Sequence, residues 1–276
     1  MIKKLCLFFV LITSYCLAQE SRTIVFSPLP TKSSFQVMKD FLPLTSYLEK
    51  KLDVKIKFEY KTNYKDILTG IKDGSIDMAY LGPLPYISLR QEYLDVKPII
   101  TFVEKNGKHN YRCVLAKFKA DKIDVSKKVK VALTQPLSTC GYFMSSVLLK
   151  QDFDIDLSNN FYEYTMSHEN ALLAALSGEF LIAGAKDSIA KRHNSLGMEI
   201  ISASQLLPGF TLVTNTKTLN TNLINSIQNA ILEIPSSTYK KWKGKGSYGF
   251  VKASHSDYGN LSVSMNDIPK VGNINE

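Results

Sequence analysis

"VKIKFEYKTNYKDILTGIKDGSIDMAYLGP", residues 54–83, changes its hydrophobic period part-way along. Apolar and polar residues alternate over 54–60, so Val54, Ile56 and Phe58 share one face of a strand. The period then becomes helical. Ile67, Leu68 and Ile71 form one stripe, Asn63 stands where an N-cap belongs, and Gly74 stands where a helix ends. "IDMAYLG" (76–82) is a second strand, and Pro83 or Pro85 opens another helix. Upstream, "TIVFSPL" (23–29) reads as a strand, followed by a helix on which Phe41, Leu44, Tyr47, Leu48 and Leu52 recur at helical spacing. Strands alternating with helices predict a parallel sheet with helices packed on it.

The rhythm restarts after "GKHNYRCVLAKFKA" (107–120), an extended stretch suited to crossing between lobes. "VKVAL" (129–133), "FYEYT" (161–165), "FLIAGA" (180–185) and "MEIISAS" (198–204) are strands, with helices at 138–150 and over "ENALLAALSG" (169–178). "GFTLVTNT" (209–216) is a second crossing strand, and "NTNLINSIQNAILEIP" (220–235) is an amphipathic helix ended by Pro235. The expected architecture is therefore α/β with two lobes, 22–112 plus 214–276 and 113–213, joined by two crossing strands. In such sheets ligands bind beyond the carboxyl ends of the strands, where the cleft lies.

Residues 1–18 stand apart. Lys3 and Lys4 precede the apolar run "LCLFFVLI" and then "TSYCLA", the layout of a cleavable signal peptide ending at Ala18. Tyr15 and Thr13 make Cys16 a poor lipidation site. No later stretch approaches the roughly 18 apolar residues of a membrane span. The expected product is a soluble, exported, periplasmic monomer. Removing the leader lowers the formal charge from +9 to +7, because it carries two lysines and no acid. Lysines in "EKKLDVKIK" (49–57) and "YKKWKGKGS" (239–247) read as a solvated basic surface whose field favours anions. Nucleic acid is not an expected partner of an exported chain without a recognition motif. Cys113 and Cys140 remain after processing and are expected as unpaired buried thiols. His109, His168, His193 and His255 are scattered, so no metal or cofactor is expected.

The helix after "VKVAL" opens with Ser138, Thr139, Cys140 and Gly141. First-turn amides have no intrahelical acceptor and sit at the positive end of the dipole. The hydroxyls add donors and Gly141 allows close approach, which makes an oxyanion cradle, although an ordinary Ser cap uses the same residues. Ser138, His168 and Asp187 can be written as a hydrolase triad. However, no Gly-x-Ser-x-Gly elbow is present, and an enzyme is not expected.

Four stretches, "NYKDILTGIKDGSIDMAYLGPLPYISL" (63–89), "QPLSTCGYFM" (135–144), "SHENALLAALSGEFLIAGA" (167–185) and "LLPGFTLV" (206–213), resemble the phosphonate-binding group of type II periplasmic substrate-binding proteins. The resemblance extends over about residues 23–235. It implies a periplasmic binding protein that delivers a small phosphorus oxyanion to the membrane permease of an ABC transporter. A subunit presenting a solute to a membrane sensor histidine kinase is the alternative. The implied ligand residues are Ser138, Thr139 and Cys140 at the cradle, Tyr64 facing it, Tyr111 on the crossing strand, His168, and Tyr80 at a strand end. Tyr64 and Tyr80 have an alternative reading as half-buried core residues, and His168 as a helix-entry residue. Where the family carries carboxylates for an aminoalkyl ligand, this sequence has Ser188 and Phe210, with Asp187 and Glu169 nearby. The expected ligand is thus phosphite, methylphosphonate or phosphate rather than 2-aminoethylphosphonate. Direct binding of trivalent arsenic by Cys140 is a further alternative.

Overall fold

The computed structural model describes residues 21–259 and 261; the expected signal peptide lies outside these residues. The first part of the chain forms β1 (Thr23–Pro28), α1 (Ser34–Leu52), β2 (Lys55–Phe58), α2 (Tyr64–Lys72), β3 (Met78–Leu81), α3 (Pro83–Glu92) and β4 (Val96–Phe102). Local chemistry sets their limits. Asn63 Oδ1 accepts the Asp66 amide at 2.9 Å to start α2, and Gly74 takes φ +83° just beyond its end. Pro83 starts α3, where the missing N–H costs nothing.

The chain continues as β5 (Asn110–Tyr111), β6 (Cys113–Phe118), β7 (Lys130–Leu133), α4 (Met144–Phe153), β8 (Phe161–Tyr164), α5 (His168–Leu176), β9 (Ile182–Lys186), α6 (Asp187–Ala190) and β10 (Met198–Ala203). After these come β11 (Leu207–Pro208), β12 (Thr211–Asn215), α7 (Thr221–Leu232), α8 (Ser236–Tyr239), β13 (Phe250–Lys252) and a short helical turn over His255–Tyr258. One six-stranded sheet has the order β13-β4-β12-β3-β1-β2, and a five-stranded sheet has the order β10-β6-β9-β7-β8. β5 and β11 pair antiparallel, Leu207 opposite Tyr111 and Pro208 opposite Asn110, so the two crossings brace each other.

Both sheets are mixed, not parallel throughout as the strand-helix rhythm predicted. β1, β2 and β3 run parallel, but β12 joins β3 and β4 antiparallel. In the second sheet β7 is parallel to β8 and β9, while β6 is antiparallel to β9. The chain leaves the first sheet at the carboxyl end of β4 and comes back to it at β12, which enters from that same end and so runs antiparallel to β3 and β4. The expected division at 213/214 falls inside β12, whose pairings lie in the six-stranded sheet.

Phe41, Leu44 and Leu48 of α1 pack with Ile224, Ile227 and Ile231 of α7 over one face of the first sheet. Each such buried side chain contributes about 1.5–3 kcal/mol. On the other face, Ile67, Ile71 and Leu84 belong to an apolar cluster that continues into the second lobe through Tyr142, Phe143 and Leu148. A third cluster is rich in alanine, with Ala171 and Ala175 of α5 against Ala183 and Ala185 of β9.

Cys113 and Cys140 are joined by a disulfide, their Cα atoms 4.8 Å apart. The expectation of two free thiols is therefore wrong. The antiparallel arrival of β6 beside β9 brings its first residue against the helix that follows β7, a proximity that sequence separation hides.

Candidate functional site

The carboxyl ends of β1, β3, β7, β8 and β9 converge on a cavity of about 430 Å³ between the two sheets. Tyr64, Tyr80, Tyr111, Ser138, Thr139, Cys140 and His168, all named from the sequence, line it together. Each is placed by a strand end or helix start. Tyr64 opens α2, Tyr80 lies in β3, Tyr111 is on the crossing strand β5, and His168 is the first residue of α5 behind the Ser167 cap.

Residues Thr139–Phe143 form a π-helical turn that runs directly into α4. Ser138 Oγ accepts the Gly141 amide at 3.0 Å, and Thr139 Oγ1 accepts the Leu84 amide at 3.1 Å. Both hydroxyls keep a proton to donate. The Thr139 and Cys140 amides find no acceptor among the described residues. These four donors surround the positive end of a helix, the arrangement that receives an oxyanion. The disulfide fixes Cys140 to β6, two residues beyond Tyr111, and so ties the cradle to the crossing strand. It also leaves Cys140 no thiol, which removes the arsenic reading. Gly141 serves packing rather than ligand approach: a Cβ there would lie 2.0 Å from Thr134 Oγ1.

The charges were not legible in the sequence. Lys32, Lys186, Lys245 and Arg192 line the cavity, and Glu104 and Glu169 are the acids that line it with them. Lys32 pairs with Asp40 at 2.7 Å and Arg192 with Glu169 at 3.1 Å. Lys186 meets Glu104 at 2.6 Å, its side chain only 12% exposed. Lys245 has no carboxylate at ion-pair distance among the described residues; its ammonium lies 5.0 Å from the Tyr80 ring centroid and 5.9 Å from that of Phe210. Burial lowers the pKa of both Lys186 and Lys245, and Glu104 works against that shift in each. The site therefore combines neutral donors with net positive charge, whereas the sequence named neutral donors alone. Position was the available signal for Lys186, the last residue of a strand that ends at the cleft.

The rings form one aromatic wall. Phe210 stacks on Tyr80 at 5.1 Å and on Tyr111 at 5.7 Å. Burial raises the phenol pKa of Tyr64, Tyr80 and Tyr111, so each remains a protonated donor. The Tyr111 hydroxyl, beside Thr139, and His168 Nδ1 are buried without a hydrogen-bond partner among the described residues. Burial first, and then Lys186, push the His168 pKa down to about 4, while a Gly184 backbone contact acts in the opposite sense. Of the nearby acids, Asp187 pairs with Lys191 at 3.1 Å, and Glu169 also meets His193 at 2.9 Å. Among the described residues no cluster of His, Cys, Asp and Glu fits a metal ion, and no helix is long and apolar enough to cross a membrane.

Two α/β lobes joined by two crossing strands, with donors from both facing one cleft, define the fold of the periplasmic binding proteins. The family model for the periplasmic substrate-binding protein of phosphonate ABC transporters matches residues 26–258, and the chain belongs to this family. It is a family of substrate-binding proteins, not of enzymes. The phosphate-import protein PhnD of Mycolicibacterium smegmatis is 24% identical over 169 residues, which cover 57% of this chain and 53% of that protein. The chain thus spans about half the length of that relative. The structure of PhnD1 from Prochlorococcus marinus with methylphosphonate superposes with a TM-score of 0.74 at 16% identity, covering 90% of this chain and 99% of that one. A binding-protein component of a phosphonate ABC transporter from Pseudomonas aeruginosa gives 0.75 at 18% identity, covering 89% and 86%. At these identities the superpositions establish the fold.

Proposed function

We propose that this chain, exported by cleavage after Ala18, captures a small phosphorus oxyanion in the periplasm and presents it to the permease of an ABC transporter. The observation that carries the reading is the pair of amides at Thr139 and Cys140, without an acceptor among the described residues and set beside two hydroxyl donors in a cleft whose described lining has more cations than carboxylates. Ser138, Thr139 and Cys140 hold the oxyanion. Tyr64 and His168 donate from the facing walls, Tyr111 supplies a buried phenol beside Thr139, and Tyr80 supports the aromatic wall through Phe210. Family membership supports the transport role, and the methylphosphonate complex of the Prochlorococcus relative supports the ligand class. The expected preference is for phosphite, methylphosphonate or phosphate over 2-aminoethylphosphonate.

Calorimetric titration of residues 19–276 with those four compounds at one pH tests the reading. Saturable binding of at least one compact oxyanion, with a matching rise in melting temperature, is expected. No heat and no thermal shift with any of the four would sink it.

A further inference from the structure

We infer that Lys186 is a specificity-determining residue, whose ammonium occupies the Glu104 carboxylate inside the cleft and closes the site to ligands that bring an ammonium of their own. This deepens the oxyanion-binding reading and rests on it. Glu104 follows β4 on the first crossing, and Lys186 ends β9 in the opposite sheet. Their side chains meet at 2.6 Å across the cavity they both line. The Lys186 ammonium also lies 4.8 Å from the Tyr111 ring centroid and 5.5 Å from that of Phe210.

A carboxylate beside two aromatic faces is the environment an alkylammonium requires, because a cation taken from water needs both a counter-charge and polarisable surroundings. Here the chain fills that environment with its own lysine. The other acid of the cavity, Glu169, is held by Arg192 and His193. Lys245 adds a second ammonium over Tyr80 and Phe210. An incoming ammonium therefore meets two positive groups and, among the described residues that line the cavity, no free carboxylate. A hydrogen, a methyl or a hydroxyl on phosphorus avoids this conflict.

The test compares methylphosphonate with 2-aminoethylphosphonate, by calorimetry at pH 7, on the wild type, Lys186→Met and the Lys186→Met/Glu104→Gln double variant. Methionine keeps an unbranched stem, removes the charge and frees Glu104. The wild type is expected to favour methylphosphonate at least tenfold. Lys186→Met should shift the ratio at least tenfold toward the aminoethyl compound, and the double variant should lose that gain. Equal wild-type affinity for the two ligands overturns the inference without any variant. So does a Lys186→Met protein, folded by its melting transition, that binds both ligands with an unchanged ratio. If neither compound, nor phosphite nor phosphate, binds wild type or variant, the oxyanion reading falls and this inference with it, an outcome distinct from an unchanged ratio.

Discussion

The Thr139 hydroxyl oxygen of the second lobe accepts the Leu84 amide of the first at 3.1 Å. The lobes are in direct contact here: a Cβ on Gly82 would stand 3.4 Å from Thr139 Oγ1 and 3.2 Å from Phe210. Thr139 thus has two tasks, latching α3 with its lone pair and offering its proton to the cleft.

That double role separates two kinds of variant. Ser138→Ala and Thr139→Ala each remove a donor to a charged group, worth about 1.5–3 kcal/mol, so oxyanion affinity should fall roughly ten- to a hundredfold. Thr139→Ser should retain most of it. Calorimetry and thermal melting on the same samples distinguish the cases. A lowered melting temperature with unchanged affinity would make the residue a cap or latch and nothing more.

Donors enter from both lobes, Tyr64 from one and Ser138 and Thr139 from the other. Ligand should therefore favour a closed form by binding it more tightly than an open one. Small-angle scattering should show a smaller radius of gyration at saturating oxyanion. Identical curves would contradict this, unless the free protein is already closed.

The disulfide makes a third expectation. Closing the 27-residue separation of Cys113 and Cys140 removes unfolded-state entropy worth about 3.5 kcal/mol in the chain-entropy model. Cys113→Ala/Cys140→Ala should melt at a lower temperature. It should also bind oxyanion more weakly, because the Cys140 amide is part of the cradle. Thiol titration of denatured, unreduced protein should find no free thiol in residues 19–276, and two would refute the bond.

What the sequence disclosed was local. Asn63, Gly74, Ser167 and Asn220 mark helix ends through hydrogen bonds and dihedrals within a few residues, and their elements were legible. The turn that opens the helix after β7 at Ser138 was legible for the same reason, since a helix start is a local event. Lys245 was not. In "YKKWKGKGS" it is one lysine among several, and only tertiary packing places it over Tyr80 and Phe210. Glu104 and Lys186, 82 residues apart, meet only because the sheets face each other. The antiparallel return of β12 and the disulfide were hidden in the same way, because hydrophobic period carries no information on strand direction or partner.

His168 gives a prediction whose sign follows from its surroundings. Burial, then Lys186, hold its pKa at about 4 against an ordinary 6.5, and its place at the start of α5 adds the positive end of a helix dipole. The folded pKa lies below the unfolded one, so between pH 6.5 and 4 the unfolded chain binds more protons. Stability should be flat with respect to this group above about pH 6.5, and should fall as pH drops toward 4. Carboxylates titrate in the same range, so the comparison is between wild type and His168→Gln: the difference in melting temperature should change across pH 7 to 4 in favour of the variant. Proton NMR should place the His168 midpoint near 4 in the free protein. Saturation with methylphosphonate should raise that midpoint, because a neighbouring anion favours the imidazolium. A free-protein midpoint near 6.5 would show the ring to be solvated, and a midpoint unmoved by bound ligand would place His168 outside the oxyanion shell.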